Sequence, residues 1–413
     1  MTRSVRTSSA ADGDVRGRPL RVLMLVNKLN YGGGAERTLA ALATHLPRER
    51  FDVAIATTRP TAGPLLDALR ARGIPHLDLR RRGRFDVAAF WRLAAFLRRE
   101  RIDVLHAHMF GSNLWGSVFG RLTGVPAVIA HEQTWSYEGQ ALRKFLDGYV
   151  IARLADAFVA VSERDRQRMI KLEGVPAEKI VLLPNPYVPR EREAEHSLDV
   201  RERFAIPAAA PIVGTVAVLR PQKALHVLVD AFHALSERLP EARLVIGGHG
   251  PCRPELEHQA ARLGIGDRVH FAGYLEDVAA FLRSVDVAAM SSDYEGSPLF
   301  ALECIAHRTP LVSTDVGNIA EILGDGHGVQ IVPRGDFEAL AHALEELLRD
   351  PAKRAAQSDL AATRLRPYEI DSVVREFAGL YEELVERGRT RRSFTPHRQS
   401  LAAPRNASLP PTP

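Results

Sequence analysis

Cysteine is nearly absent from this chain of 413 residues: Cys252 and Cys304 are the only two. Two thiols make neither a disulfide framework nor a metal cluster. They fit a reducing, cytoplasmic compartment. Long apolar runs are missing as well, and none approaches the roughly 18 residues that a bilayer-spanning helix needs. The opening stretch, MTRSVRTSSAADGDVRGRP, has charge but no apolar core, so no secretory signal is expected in it. Zinc-ligand spacing, a basic–aromatic RNA motif and a basic heptad region are all lacking, which argues against a nucleic-acid partner. No strand–glycine loop has the G-x-G-x-x-G form of a dehydrogenase, and there is no G-K-[ST] of a P-loop. A D-x-D triplet occurs once, as Asp12-Gly13-Asp14 near the start of the chain. It is not read as a metal site, so no obligatory metal or other cofactor is expected.

What is present is an ordinary globular composition, 46% hydrophobic and 25% charged, with a formal charge of +5. Arginine is concentrated between Arg70 and Arg101, in RARG, LRRRGR and RRER. These are either solvated surface charges or an attraction for something anionic, such as a membrane surface or a phospholipid-like acceptor.

Residues 1–18 and 389–413 lack a hydrophobic period and read as disordered tails; the sequon at Asn406 lies in the second. Between them, aliphatic runs alternate with helical patterns. LRVLMLV, FDVAIAT, IDVLHAH, VPAVIAHE, DAFVAVS and IVLLPNP form one series. PIVGTVAVL, LVIGGHG, VHFAG, VDVAAMSS and TPLVSTDVG form a second. Strands that are almost continuously Val, Ile, Leu and Ala suit a parallel sheet covered on both faces. Alternation with helices implies an open, doubly wound α/β sheet. Two Rossmann-like domains are therefore expected, over 19–186 and 207–367, joined by the Pro- and charge-rich stretch 187–206. Ligands of such sheets bind beyond the C-terminal strand ends, so two facing domains create one cleft lined by strand-to-helix loops.

Those loops carry the candidate chemistry. NKLNYGGGAER places Gly33 and Gly34 where backbone N–H groups and a helix N-terminus can approach phosphate. The alternative is a plain glycine turn, with Glu36 complementing the helix dipole. HAHMFGSN and AHEQTW each end a strand in histidine, as structural hydrogen-bonders or as two rings, His131 among them, pointing at the cleft. Zinc is not expected, for want of a carboxylate or third histidine spaced as a ligand set. AVLRPQKAL offers Arg220 and Lys223 just past a strand, a planar fork and a point charge able to meet a diphosphate. VIGGHGP again suits close backbone approach.

The stretch EGSPLFALE is the most informative. Glu303 is the only charge between Pro298 and Ala306, in a helix apolar nearly all round, and Glu295 stands eight residues ahead of it. A buried carboxylate needs a partner. With Pro298 at the first helical position, Glu303 lies about 7.5 Å along the helix. Amide donors near Gly296, Ser297 and Leu299 fall between the two acids. Carboxylate, donors, carboxylate is the polarity complementary to a sugar, a diphosphate and a ribose. A capping residue plus a salt-bridged core glutamate is the structural alternative.

With these residues in order, the chain resembles the retaining glycosyltransferases of family four, the group 1 enzymes with the two-Rossmann B-type fold (GT-B). The resemblance runs from about residue 20 to 385 and rests on GGGAER, the two His loops, VGTVAVLRPQKAL, IGGHGP, FAGYLEDV, the E-x7-E pair and STDVGNIAEIL. It implies that Gly33 and Gly34 lie against the donor diphosphate, with Lys223 and Arg220 bonding it. It implies that Glu303 holds the ribose, that Glu295 holds the donor hexose with His131 beside it, and that the base lies near Gly248, His249 and Tyr274. It also implies that a final helix, about 368–388, returns to the first domain. Where the family often has arginine five residues before the lysine, Val218 stands here, and Ala224 replaces the usual glycine after it.

The expected activity is hexosyl transfer from a nucleotide-diphosphate sugar to an acceptor hydroxyl with retention. A lipid-linked or saccharide acceptor is expected at the inner membrane face. A sugar-nucleotide epimerase, or a sugar-nucleotide-binding partner subunit without catalysis, is the alternative. The segment DVAAFWRLAAFLRRER either docks on an anionic membrane or buries Trp91 and Phe96 as a core helix.

Overall fold

The computed structural model describes residues 17–29, 33–83, 86–133, 140–189, 199–324 and 330–393. The Asp12–Asp14 triplet, the Asn406 sequon, nearly all of both expected tails and residues 190–198 of the connection lie outside the described residues.

Two parallel sheets carry the fold. The first contains β1 (Leu20–Val26), β2 (Phe51–Thr57), β3 (His76–Asp78), β4 (Val104–His108), β5 (Ala127–His131), β6 (Ala157–Ala160) and β7 (Ile180–Leu182), in the order β3-β2-β1-β4-β5-β6-β7. The second contains β8 (Ile212–Val216), β9 (Arg243–Gly247), β10 (Val269–Gly273), β11 (Val287–Met290), β12 (Leu311–Thr314) and β13 (Gln330–Val332), in the order β10-β9-β8-β11-β12-β13. Strand order reverses between β1 and β4 and again between β8 and β11, which opens a crevice at each C-terminal edge. Both domains are Rossmann-like. The central strands are buried on both faces, Val22 to Leu25 completely, which is why their sequences are aliphatic without alternation.

Six helices bear on the site: α1 (Gly34–His45), α2 (Val87–Arg99), α3 (Phe110–Thr123), α4 (Ala141–Leu146), α5 (Leu299–Ala306) and α6 (Ile370–Ser393). Helix α6 crosses back onto the first sheet, where Phe377 and Tyr381 are fully buried with Leu39, Met24 and Ile129. Its return runs beside the outgoing chain: Tyr187 N–H donates to Tyr368 C=O, and Ile370 N–H to Tyr187 C=O.

Four expectations change. The edge strands β3 and β13 have only three residues each, too short to leave a periodic signal in the sequence. Helix α2 buries Ala89, Phe90, Leu93, Ala94 and Leu97, a stripe at helical spacing that leaves Phe96 half-buried and Trp91 outside, 65% exposed. A core helix with Trp91 inside is therefore corrected. Pro298 is not the first helical residue: its ψ of 114° is extended, and the helix begins at Leu299. Finally, the strand-end histidines are three rather than two, and they are buried rather than facing the cleft.

Candidate active site between the domains

The loop after β8 turns through Pro221–Lys223 and the loop after β11 descends into α5. Their meeting point is an ion pair: Lys223 Nζ lies 2.5 Å from Glu295 Oε1. Ser292 Oγ donates to the same carboxylate oxygen at 2.7 Å, and Ser291 Oγ donates to the Lys223 carbonyl at 3.0 Å. Glu295 is 7% exposed, so this network both neutralises the acid and fixes the lysine at the cleft edge. Arg220 is exposed, and its guanidinium has no partner among the described residues.

Glu303 is also 7% exposed, and its partner comes from the other domain. Arg37, in the first turn of α1, reaches across the cleft with Nη2 2.5 Å from Glu303 Oε1. The sequence did not single out Arg37. Its place in the first turn after the glycine loop is the only local signal, and the partner lies 266 positions away. Nearby, Gly34 faces the Leu299 side chain, the nearest atom to a Cβ placed there, at 4.0 Å. The N-termini of α1 and α5 thus approach each other from opposite domains, each bringing the partial positive charge of its first turn. The Gly33 N–H is not open: Glu36 Oε2 accepts it at 3.0 Å, capping α1.

Gly296 marks a close backbone approach of the domains. A Cβ there would lie 2.4 Å from the Gln133 carbonyl oxygen and 2.7 Å from Val161 Cγ2. Asn185 Nδ2 donates across the same boundary to the Ser297 carbonyl at 3.0 Å, and Asn318 Nδ2 bonds Ser297 Oγ at 3.2 Å. On the far side of the second sheet's crevice, Gly248 has φ +113°, and a Cβ would collide with the Ala217 carbonyl at 1.8 Å. This brings His249 beside Tyr274, ring centroids 6.1 Å apart, both rings exposed.

His131 belongs to a different layer. It is fully buried, hydrogen-bonded with His106 and Gln133, while His108 lies tilted against His106, ring centroids 4.1 Å apart. With the Gln133 amide nitrogen turned toward His131, the bonds run in one direction. Gln133 Nε2 donates to His131 Nε2 (3.2 Å), so Nδ1 carries the His131 proton and donates to His106 Nε2 (3.1 Å). His106 Nδ1 then donates to Tyr381 Oη on α6 (2.6 Å). Burial pushes all three histidines well below the usual range, His108 to about 3, so each is neutral at pH 7. Their ring nitrogens lie within 4.8 Å of one another, so a third histidine does join the set that the sequence spacing did not reveal. Hydrogen bonds rather than vacant lone pairs occupy His106 and His131. Among the described residues, the nitrogens of His108 have no partner.

The structure therefore gathers Lys223 with Glu295, gathers Gly34, Leu299, Arg37 and Glu303 across the cleft, and gathers Gly248, His249 and Tyr274 at one sheet edge. His131 stays beneath, connected to Gly296 through Gln133.

Two family models divide the chain at the same crossing. Residues 32–190 match Glycosyltransferase Family 4, and residues 198–364 match Glycosyl transferases group 1. The chain belongs to the group 1 glycosyltransferases. Among curated relatives, it is 28% identical to alpha-D-kanosaminyltransferase of Streptomyces kanamyceticus over 70% of this chain and 79% of that one. It is 27% identical to the D-inositol 3-phosphate glycosyltransferase of Streptomyces scabiei over 91% and 94%. Among solved structures, Anabaena HepE in complex with UDP superposes with a TM-score of 0.76 at 18% identity, over 88% of this chain and all of that one. WaaG, a glycosyltransferase involved in lipopolysaccharide biosynthesis, gives 0.69 at 16%, over 87% and 99%. Such distant likeness establishes the shared two-domain architecture of this transferase.

Proposed function

We propose that this glycosyltransferase moves a hexosyl unit from a nucleotide-diphosphate sugar to an acceptor hydroxyl with retention of configuration and without an obligatory metal. The observation that carries the reading is the pair of buried glutamates, each held by a cation at the junction of the two domains. Glu303 accepts hydrogen bonds from the ribose, Glu295 accepts them from the hexose, and the diphosphate lies between, against the α5 and α1 N-termini. As the bond to the leaving diphosphate breaks, charge grows on its oxygens. Lys223 is fixed where it can stabilise that charge, with Arg220 as the second cation. Gly33 and Gly34, without side chains, let the diphosphate approach the opposite wall, and Gly248, His249 and Tyr274 frame the base. His131, neutral and buried, backs the hexose through Gln133 and the Gly296 contact.

The acceptor is a lipid-linked or saccharide hydroxyl at the cytoplasmic membrane face, within cell-surface polysaccharide or glycolipid synthesis. No helix among the described residues is long and apolar enough to cross a membrane, so attachment would be peripheral. HepE was solved with UDP-glucose, which makes UDP-sugars the first donors to try.

A thermal-shift panel of UDP-, GDP- and ADP-sugars tests the donor assignment, because a ligand that binds only the folded state raises the melting point by mass action. One nucleotide class should shift it; no shift with any of them removes the donor reading. Mass spectrometry without acceptor separates transfer from epimerisation of the sugar nucleotide.

Gly296→Ala gives a further expected result. Its methyl would collide with the Gln133 carbonyl across the cleft, so the domains must part while each keeps its own core. Donor binding should weaken at least about tenfold, some 1.4 kcal/mol, with far-UV circular dichroism unchanged. Undiminished binding would show that the cleft is not closed at this point.

A further inference from the structure

Helix α4 is the least comfortable surface in the described structure. From Ala141 the chain runs as helix to Leu146, widens into a π-turn to Ile151 and ends at Leu154. Leu142, Phe145 and Tyr149 are 71%, 53% and 54% exposed. Their spacing puts them on one stripe, which Arg153 extends. The Phe145 and Tyr149 rings are stacked on each other at 5.0 Å, and Arg153 lies over Tyr149. Leu172, on the segment packed against this one, is 49% exposed. Grouped large apolar side chains facing water mark an interaction surface.

The charge around the stripe selects the partner. The exposed cations on these two segments are Arg153 and Lys171. The acids within residues 140–154 and 169–174, Asp147 and Glu173, are both buried. Burial and the neighbouring carboxylates of Glu132 and Glu173 push Asp147 up to about 9, so it adds no negative charge at neutral pH. Among the described residues of these two segments every exposed charge is positive, which is complementary to an anionic lipid surface, and a second copy of the same face would meet like charge. The stripe also lies close to the cleft. Arg143, next to Leu142, pairs with Glu132 at 3.4 Å, and Glu132 adjoins Gln133, whose carbonyl abuts Gly296.

We infer that the Leu142–Phe145–Tyr149 stripe with Arg153 and Lys171 docks on an anionic bilayer, setting the cleft mouth at the headgroup layer. This rests on the reading of a membrane-bound acceptor, and it assigns the contact to α4 rather than to the Trp91 face of α2. Docking orders acceptor and enzyme without any contribution to the chemistry.

Sedimentation with phosphatidylglycerol vesicles at low salt, against phosphatidylcholine vesicles, tests it. The full chain should partition onto the anionic vesicles and be released by salt. Leu142→Ser/Phe145→Ser should lower partitioning at least tenfold, and Arg153→Glu/Lys171→Glu should abolish it. Both double variants should keep the wild-type nucleotide-sugar thermal shift, because none of these side chains lines the cleft. If Trp91→Ser rather than the α4 variants releases the protein, the stripe is wrong while membrane docking stands. If the wild-type chain ignores anionic vesicles, or if the α4 variants instead dissolve a dimer in analytical ultracentrifugation, the inference is overturned. Loss of the thermal shift in every protein would instead sink the donor reading.

Discussion

Lys223→Ala is expected to reduce glycosyl transfer about 10²–10³-fold, the range for removing one preorganised donor from a site of developing negative charge. Geometry makes Lys223 the strongest choice. Its ammonium is pinned 2.5 Å from Glu295, and its side chain keeps 24% exposure toward the cleft, where a diphosphate would lie. The substitution also strips a nearly buried carboxylate of its cation. Breaking a buried pair costs roughly 3–5 kcal/mol, and less here because the lysine retains solvent contact. Stability and catalysis therefore have to be separated. Lys223→Ala/Glu295→Gln removes the orphaned charge and should recover most of the melting temperature without recovering transfer. Lys223→Arg keeps the charge in a different shape and should lie between. A folded Lys223→Ala enzyme that transfers within threefold of the parent would remove the lysine from the mechanism.

The site was legible in the sequence where chemistry and local spacing coincide. Glu295, Glu303 and the intervening Gly296-Ser297-Pro298 stand within nine residues, and a charge in an apolar helix advertises a partner. The partner itself was not legible: Arg37 is brought to Glu303 only by the facing of two domains. Likewise β1, β2 and β10 match LRVLMLV, FDVAIAT and VHFAG to their end residues. The three-residue edge strands β3 and β13 depend on a neighbour for their existence, which no local pattern records. Trp91 was misjudged for a related reason. An aromatic on an amphipathic helix is assigned to the core by type, whereas the buried stripe of α2 is set by where Phe90 meets Trp115 and Phe119. His108 shows the limit most clearly. In HAHMFGSN it is one of two similar rings, and only the register of β4 against β5 places it opposite His131.

That register leads to a strong expected pH dependence of stability. His106, His108 and His131 are neutral in the folded protein because burial disfavours the cation. The groups packed against them, Asn113, Gln133, Phe377 and Tyr381, supply no negative charge. In the unfolded chain each imidazole regains a pKa near 6.5. A depressed histidine stabilises the fold above the unfolded value, and that stability is lost as pH falls toward the folded one. Each contributes about 1.4 kcal/mol per pH unit once pH is well below 6.5, about 4 kcal/mol per unit for three. Asp165, raised to about 6, and Asp147, raised to about 9, act in the opposite sense. Their contribution is intact at low pH and is lost as pH rises through those values. Between about pH 4 and 6 these two acids offset two of these three histidines, so the five together lose about 1.4 kcal/mol per unit on acidification; His76, His270 and His307, also depressed by burial, act in the same sense as the three. Toward pH 9 Asp147 alone of these five still changes, and stability falls again, so their balance puts the maximum near neutrality. His108→Phe isolates one proton from this balance. Its nitrogens bond nothing among the described residues, so an apolar ring of similar shape should hold stability at pH 7. The acid limb of unfolding free energy against pH should flatten or level off, by about one proton's slope. Urea titrations from pH 5 to 8 would measure it, and an unchanged acid limb in the variant would mean that His108 takes up its proton without unfolding.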